Sequence, residues 1–347
     1  MKQSNNNAGT TISNRRFRKL KQMEKYLISI LAVYIIIVSM VSKNFLSMNT
    51  LFDLLRTSSG TLILAAGVLV VLISGGIDVS FTAIAVVSGY SSIRLMITFG
   101  IDNIYFALLL SALIGCILGA INALIIHFFK LSTFIVTLGT SSAFYGFMTT
   151  FIGTSSISVA DKPQSLFRFG NARLFTITNG SSSYGVPLFF VIALVILIVT
   201  WFILYRTMLG RSIFAIGNSE ESALRAGINI FKTKIFVYTY MGLLSGIMGI
   251  VYFSEIDLIN PVSLVGTELM VIAAVVIGGI RLTGGEGTIL GAVLGVSIIQ
   301  IFKSTLVFLG LSTSLNDLFI GIILIASVSI ISYQERKNNK EQLIFTK

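Results

Sequence analysis

Apolar runs close to the length that crosses a lipid bilayer recur along most of the sequence, and they limit what the chain can fold into. A transmembrane helix needs about 20 consecutive, mostly apolar residues. A transmembrane β-strand is about half that length and alternates apolar with polar residues, whereas these runs do not alternate. Only 11% of the residues are charged, which is too few to cover a water-facing globule. The sequence therefore predicts an all-α polytopic membrane protein.

The apolar runs predict about ten membrane-spanning helices. Their predicted bounds are 26–42, 51–73, 79–98, 104–128, 133–152, 186–205, 233–253, 267–280, 288–311 and 315–333. The corresponding domain division is a disordered basic tail over 1–25, a transmembrane domain over 26–333 and a second tail over 334–347. We expect both tails to be cytoplasmic.

The positions of the basic residues predict the orientation. An even number of spans places both termini on one side of the membrane, and most of the 25 lysines and arginines fall in connections on that side. By the positive-inside rule, this side is the cytoplasm, so we predict N-in and C-in topology in a cytoplasmic (inner) membrane. Because the basic residues occupy short loops between spans, the net charge of +11 does not indicate a nucleic-acid partner.

The residue inventory argues against a membrane-embedded enzyme. The chain has one cysteine, Cys116, within an apolar run, and one histidine, His127, at the end of the same run. A catalytic or metal site needs partners of matching type, and the sequence offers none. It also lacks the G-x-x-x-x-G-K-[ST] pattern that cradles nucleotide phosphates. We predict no catalytic residue, no metal site and no cofactor, with any ATP and magnesium bound by a partner.

Two Gly-Gly-Ile turns, each followed by a charge, interrupt the apolar runs. ISGGIDVS contains Asp78, and VVIGGIRLT contains Arg281. In one interpretation the glycines end a helix, Ser80 or Thr283 caps the next one, and the charges complement helix dipoles. In the other, these are re-entrant turns lining an inner gate, with Asp78 and Arg281 paired.

Hydroxyl and amide side chains on the spans are candidates for a translocation path. Hydroxyls recur at helical spacing from Thr133 to Tyr145, which suits hydrogen bonds to a sugar; bonding to their own helix backbone is the alternative. Buried charge is almost absent, apart from Lys303, which can snorkel, and this favours a neutral solute over an ion. The predicted path or gate residues are Asp78, Ser80, Asn122, Thr137, Thr140, Ser141, Tyr145, Arg281 and Asn316.

Glycines four residues apart mark three of the predicted spans. Such spacing lets helix backbones approach closely, so we predict that these faces pack against other helices. The glycines are Gly115 and Gly119, Gly242 and Gly246, and Gly287, Gly291 and Gly295.

Two connections are long. The 206–232 loop predicts a short helix with Asn218 as N-cap, Glu221 and Arg225 as an i,i+4 pair, and Gly227 as its stop. A helix of about two turns is unstable alone, so we interpret it as a preformed knob for another protein. The 153–185 loop is rich in Ser, Gly and Asn and either covers the external mouth, meets a partner, or is simply solvated.

The 206–232 loop resembles the coupling loop of ABC-importer permeases of the ribose/galactose type, which are relatives of the branched-chain amino-acid permeases. Three further blocks, ISGGIDVS, KLSTFIVTLGTSSAFYG and GTELMVIAAVVIGGIRLTGGEGTILGAVLG, resemble the same family, and together they cover about residues 45–333. Within the loop the matching residues are Gly210, Arg211, Phe214, Ala215, Ile216, Gly217, Glu220, Glu221, Ala223, Ala226, Gly227 and Ile228.

The resemblance implies the ABC-importer permease fold and a set of partners. These are a cytoplasmic ABC ATPase, an extracytoplasmic solute-binding protein, a second permease subunit in a homo- or heterodimer, and the surrounding lipid. It also implies that the short helix docks onto the ATPase. The residues expected to couple to the ATPase are Gly217, Asn218, Glu220, Glu221, Ala223, Arg225, Ala226 and Gly227.

The function implied by the resemblance is ATP-driven import of a monosaccharide or a similar neutral polar solute, with the ATP hydrolysed on the partner subunit. Two alternatives stay open. One is an ion-coupled secondary transporter. The other is the same importer class carrying a nucleoside, an autoinducer-like sugar or a branched-chain amino acid.

Overall fold

The structure, a computed structural model, describes residues 22–41, 43–179, 182–264, 266–310 and residues 315, 318, 321, 322 and 325. Within these residues the fold is helical except for one small hairpin of β1 (Ile177–Asn179) and β2 (Ser182–Tyr184). The helices are α1 (Gln22–Val41), α2 (Met48–Ile73), α3 (Phe81–Phe99), α4 (Ile104–Phe129), α5 (Thr133–Phe151), α6 (Gln164–Gly170), α7 (Leu188–Arg206), α8 (Met208–Asn218), α9 (Glu220–Arg225), α10 (Ile230–Glu255), α11 (Glu268–Ile277) and α12 (Ile289–Phe308).

Helices occupy the positions of the first nine predicted spans. Among the described residues, seven of these helices are long and apolar enough to cross a membrane, namely α1, α2, α3, α4, α7, α10 and α12. The prediction of an all-α polytopic membrane protein is therefore confirmed. The tenth predicted span, 315–333, lies almost wholly outside the described residues, so the number ten stays a prediction.

The long helix α10 forms the centre of the bundle and packs against α2, α3 and α4. At one end, which we call the 206–232 end, it continues directly from the loop that contains α8 and α9. At the other, the 153–185 end, its last carbonyl groups accept hydrogen bonds from Lys162 of the 153–185 loop. Helices α2 and α3 are largely buried, whereas α1, α4 and α7 expose most of their apolar surface.

The predicted glycine packing is present and explains why α4 and α10 lie so close. A Cβ on Gly115 or Gly119 would overlap the carbonyl oxygen of Gly242 or Tyr238, respectively, so only glycine fits at these contacts. The same close approach joins α11 to α12, where Gly295 lies against the carbonyl of Ala274. Backbones this close gain dispersion contacts along the whole interface, which is how helices associate in lipid.

Helix α3, at the position of the span predicted over 79–98, begins inside the bundle rather than at its edge. Residues 74–80 leave the end of α2 without helical structure. Ala85 and Gly89 of α3 then lie against Gly249 of α10. At a rise of 1.5 Å per residue, the first turn of α3 lies beside a point on the axis of α10. That point is roughly 24 Å from the start of α10 and roughly 13 Å from its end.

Helix α11 also begins inside the bundle, and it starts beside α3. Residues 256–264 and 266–267 lead inward from the end of α10 without an α-helix, and α11 has only ten residues. The Thr82 hydroxyl, in the first turn of α3, donates a hydrogen bond of 3.2 Å to the carboxylate of Glu268, the first residue of α11. Two helix N-termini and one carboxylate therefore meet near the middle of the bundle.

Candidate functional site

A cavity of about 520 Å³ lies in the 153–185 half of the bundle. Small-molecule sites commonly enclose between 300 and 1,000 Å³, so the cavity has room for a monosaccharide-sized solute. Four helices contribute its walls, α2, α10, α11 and α12, together with the segment before α11. The lining residues are Thr57, Gly60, Thr61, Leu64, Met248, Tyr252, Glu255, Ile256, Ser263, Leu264, Thr267, Met270, Val271, Gln300, Lys303 and Ser304.

Several polar groups line this cavity. The Gln300 amide nitrogen donates hydrogen bonds to the Thr61 hydroxyl at 2.8 Å and to the Thr57 carbonyl at 3.3 Å. The Glu255 carboxylate lies 3.7 Å from the guanidinium nitrogen of Arg56, and the Lys303 side chain is exposed. Arg56 therefore pairs across helices with Glu255, and the cavity holds groups of both charges.

A buried polar network organises the first Gly-Gly-Ile turn. The Asp78 side chain, 3% exposed, accepts hydrogen bonds of 2.7 Å from both the backbone N–H and the hydroxyl of Ser80. The Ser80 hydroxyl in turn accepts from the Asn122 amide at 2.7 Å. Ser80 occupies the N-cap position of α3, but its side chain serves Asp78 and makes no capping bond to the helix.

Helix α5 holds the same turn from the other side. The Thr133 hydroxyl accepts from the backbone N–H of Ile77 at 2.9 Å, and the Thr137 hydroxyl accepts from that of Val79 at 3.2 Å. Thr137 also donates to the Ile77 carbonyl at 3.3 Å. These hydroxyls therefore satisfy backbone groups of an extended segment that has no helix or sheet partner of its own.

The remaining predicted path residues are not gathered at one place. The Thr140 hydroxyl bonds the Thr137 carbonyl in its own helix, and Ser141 and Tyr145 are half-buried on α5. Asn316 lies outside the described residues. None of the described path residues lines the cavity, which is formed instead by residues that the sequence analysis did not select. The sequence signal that could have indicated this cavity is the presence of two polar residues, Gln300 and Lys303, three apart in an apolar run.

The second Gly-Gly-Ile turn has different partners. Arg281 lies 3.5 Å from Glu286, and its side chain is 42% exposed. The structure therefore gives Asp78 and Arg281 separate partners. Thr283 does not cap α12, because the chain stays non-helical to Thr288, whose hydroxyl accepts from the backbone N–H of Gly291 at 3.0 Å.

The 206–232 loop contains two helices, of which only the second was predicted. The predicted N-cap, Asn218, is wrong: it ends α8, and its amide donates to the Phe214 carbonyl at 2.8 Å. Ser219 caps α9 instead, accepting from the backbone N–H of Ser222 at 3.2 Å. A serine can take this role because a short hydroxyl reaches the first free N–H groups as well as an amide does.

The other features predicted for the short helix are present. Glu221 and Arg225 form an ion pair of 2.6 Å, and Glu220 pairs with Lys234 of α10 at 2.7 Å. Gly227 has a φ of +78°, and the N–H after it bonds the Ala223 carbonyl at 3.0 Å, which closes the helix. Leu224 projects outward with 62% of its surface exposed, so α9 presents an apolar side chain to a partner.

Three segments meet where the loop contacts the bundle, at a cluster of glycines that we call the glycine junction: Gly75, Gly217, Gly284 and Gly285. The Gly285 N–H donates to the carbonyl of Ile73, the last residue of α2, at 2.9 Å. A Cβ on Gly217 would overlap that same carbonyl oxygen. The first Gly-Gly-Ile turn and the Gly284–Gly285 segment, which follows the second turn, therefore both touch the end of α8.

The 153–185 loop is folded onto the bundle. Lys162 is buried and donates hydrogen bonds of 3.1 and 3.0 Å to the carbonyls of Ser254 and Ile256, and burial lowers the pKa of its ammonium. The backbone N–H of Ser165 donates to Asp102 at 2.7 Å, and hydrogen bonds from Ser165 hold the pKa of that carboxyl below its usual value. An isolated β-bridge joins Ile157 to Ile259.

The chain is similar to known permeases over most of its length. A family model described as "Branched-chain amino acid transport system / permease component" matches residues 50–328. The ribose import permease protein RbsC of Escherichia coli (strain K12) is 31% identical over 322 residues, which are 92% of this chain and 97% of that protein.

Two further relatives carry other names. The D-allose transport system permease protein AlsC of Escherichia coli (strain K12) is 30% identical over 87% of this chain and 89% of its own length. The autoinducer 2 import system permease protein LsrC of Yersinia pestis (strain Pestoides F) is 29% identical over 86% of this chain and 81% of its own length. No solved structure matches the chain.

Proposed function

This chain belongs to the family of branched-chain amino acid transport system permease components, and we propose that it is the membrane-spanning subunit of an ATP-driven sugar importer. The observation that carries the proposal is the end-to-end similarity to the ribose import permease. The protein is a multi-pass inner-membrane protein and a transport subunit rather than an enzyme. The 520 Å³ cavity, lined by amide, hydroxyl, ammonium and carboxylate groups, supports a polar solute.

We propose ten spans with both termini in the cytoplasm, so that the 206–232 end is cytoplasmic and the 153–185 end is external. The excess of basic residues at the 206–232 end supports this orientation. A test starts from Cys116→Ala, which leaves the chain without cysteine. In intact cells an impermeant thiol reagent should label Ser156→Cys and spare Ser222→Cys. The reverse labelling would overturn the orientation.

The partners follow from the permease role. We propose that α9 docks into a cytoplasmic ATPase, which hydrolyses the ATP, and that the 153–185 end receives solute from an external binding protein. A second permease subunit, identical or homologous, completes the assembly in the lipid bilayer. The exposed Leu224, Glu221 and Arg225 support docking through α9, whereas Gly217 and Asn218 support it as the attachment to the glycine junction.

Docking through α9 is tested by exchanging its exposed apolar side chain. Leu224→Asp should abolish co-purification of the ATPase and ATP-driven uptake, because it places a charge in the proposed interface. Leu224→Met, which keeps an apolar side chain of similar size, is the matched control and should retain both. Normal ATPase binding by Leu224→Asp, with normal membrane expression, would contradict the docking role.

A second candidate, an ion-coupled secondary transporter, gains support from one observation. Near the middle of the bundle, Glu268 lies where α3 and α11 both begin, and carboxylates at broken helices often mark ion paths. The sequence analysis argued from the absence of such a group, and that argument does not hold. Family membership favours the importer.

Reconstitution separates the two candidates. The protein is purified with its ATPase, sealed into vesicles with ATP on the ATPase side, and supplied with its binding protein and radiolabelled D-ribose, D-allose or D-galactose on the other side. Uptake of one sugar that requires both ATP and the binding protein supports the importer. Uptake without ATP that follows a sodium or proton gradient overturns it and establishes the second candidate.

A further inference from the structure

We propose that the cavity in the 153–185 half of the bundle is a solute-binding site, in which Gln300, Lys303 and Glu255 hydrogen-bond the hydroxyl groups of a neutral sugar. The inference rests on the proposed importer function and adds a recognition step to it. In this view the permease itself contributes to solute selection, in addition to the external binding protein.

The orientation of the Gln300 amide is fixed by its surroundings. Its side chain is 5% exposed, and its nitrogen lies 3.3 Å from the Thr57 carbonyl and 2.8 Å from the Thr61 hydroxyl. A backbone carbonyl only accepts hydrogen bonds, so the NH₂ group and not the oxygen must face Thr57. The amide oxygen is left as an acceptor in a residue that lines the cavity.

Donors and a second acceptor also line the cavity. Lys303 is three residues from Gln300 on α12, so the two side chains share a face of the helix. Its exposed ammonium offers three donors and, among the described residues, makes no hydrogen bond. Glu255 interacts electrostatically with Lys303 and with Arg56, and as a carboxylate it keeps acceptor capacity beyond that pairing.

Apolar side chains line the cavity as well. Leu64, Met248, Met270 and Val271 contribute aliphatic and thioether groups to it. A pyranose or furanose ring carries hydroxyls around its edge and C–H groups on its faces, so it can contact the polar and the apolar lining groups at once. An ion would gain nothing from the apolar lining groups, because burying an ion among them is costly.

The charge balance favours a neutral or anionic solute over a cation. Arg56 and Lys303 contribute two positive charges near the cavity, and Glu255 contributes one negative charge. We commit to a neutral sugar, because Arg56 already pairs with the carboxylate and one ammonium remains to meet hydroxyl oxygens. A sugar acid that competes more strongly than the neutral sugar would contradict this choice.

Binding is measured with cysteine reporters, so that the readout does not depend on ATP. In Cys116→Ala protein, Ser263→Cys and Ser304→Cys place thiols on the cavity lining without touching the three proposed groups. Their reaction with neutral hydroxyethyl methanethiosulfonate should be slowed by the sugar that the vesicle assay shows to be transported. Ser156→Cys, exposed at the same end but outside the cavity, is the control and should not be protected.

Two further variants test the proposed groups. Gln300→Met and Lys303→Met should each raise the sugar concentration needed for half-protection about tenfold, as expected for loss of one hydrogen bond, charge-assisted for Lys303. Ser297→Ala, one turn along α12 with its hydroxyl bonded to its own helix, should change nothing, and Lys303→Arg should restore most of the protection. An unchanged reporter reaction rate without sugar verifies that each variant is folded.

The outcomes separate this inference from the proposed function. If ATP-driven uptake occurs but the transported sugar protects neither reporter, the binding site is refuted and the importer stands. If protection occurs and both methionine variants bind as the parent does, the cavity holds the sugar but the assignment of the groups is wrong. If no sugar is transported under any condition, the proposed function fails and takes this inference with it.

Discussion

The two Gly-Gly-Ile turns have nearly the same local sequence but opposite surroundings. In the 74–80 turn, the charge is buried and every polar atom that we describe has a partner on the turn itself, on α4 or on α5. In the 278–283 turn, the charge stays at the surface and pairs with Glu286 of the same loop. The first turn leads the chain back into the bundle, and the second leaves it at the 206–232 end.

The difference shows that the glycines determine where a helix ends. They do not determine whether the following segment enters the bundle or leaves it. Residues 74–80 can enter the bundle because Thr133, Thr137 and Asn122 meet their polar groups. Arg281 instead keeps 42% of its side chain exposed beside Glu286, and a guanidinium is costly to bury without well-placed partners. The first turn and the segment that follows the second turn meet at the glycine junction, which places both beside the loop that we propose to bind the ATPase.

The largest expected effect comes from adding a side chain at the glycine junction. In Gly217→Ala, the new Cβ would overlap the Ile73 carbonyl oxygen and lie 2.5 Å from the Gly285 nitrogen, both of which are backbone atoms that cannot rotate away. Overpacking of this kind destabilises by about 3 kcal/mol. We expect a clearly lower apparent melting temperature in detergent, followed by size-exclusion chromatography after heating.

Gly139→Ala is the matched control for that variant. Gly139 is also helical, but a Cβ there meets nothing within 4 Å, so alanine should be neutral or slightly stabilising. Equal melting temperatures for the two variants would show that the junction opens easily. In that case, the close contact at the glycine junction would not contribute to the stability of the protein.

The second-largest loss of stability is expected at Asp78, the buried charge of the first turn. Asp78→Ala leaves the backbone N–H and hydroxyl of Ser80 without their acceptor in a buried site. Leaving buried donors unsatisfied costs about 2 kcal/mol. Asp78→Asn keeps one side-chain oxygen and should lose less than half as much stability, as measured by the same thermal assay. A loss equal to that of alanine would mean that the negative charge, and not the acceptor, stabilises the turn.

The sequence predicted the parts of this comparison that depend on local chemistry. Helix positions, glycine packing on α4 and α10, and the Glu221–Arg225 pair follow from length, spacing and composition alone. Long-range pairing could not be predicted: nothing near Asp78 in sequence points to Asn122 or Thr137. Arg56 likewise pairs with Glu255, which is far from it in the sequence.

The cavity escaped the sequence analysis for the same physical reason. Its polar residues come from three helices and the segment before α11, and each contributes only two or three of them, so no single span looks polar. The sequence analysis selected residues of the hydroxyl-rich α5 instead, because its polar residues all lie within one predicted span. Their observed partners are the backbone of 74–80 and of α5 itself, which is the use that hydroxyls commonly find in apolar helices.

A smaller effect tests whether α5 holds the buried turn. Thr137→Val keeps the shape of the side chain but removes the hydroxyl that bonds the Val79 N–H and the Ile77 carbonyl. We expect a loss of about 1 kcal/mol in the thermal assay, the usual net value of such bonds. Thr149→Val, whose exposed hydroxyl bonds its own helix, is the control and should change little. If both variants behave alike, α5 does not support the turn.

The smallest effect is expected at the second turn. Arg281→Gln removes an ion pair with Glu286 in which both side chains are about half exposed, so water and salt already screen the attraction. Pairs of this kind contribute about 0.5 kcal/mol or less, and we expect the melting temperature to match that of the parent within error. Raising the salt concentration should remove what difference there is. A large, salt-insensitive loss would mean that Arg281 is buried in the assembled transporter, and the contrast between the two turns would then hold only for the single chain.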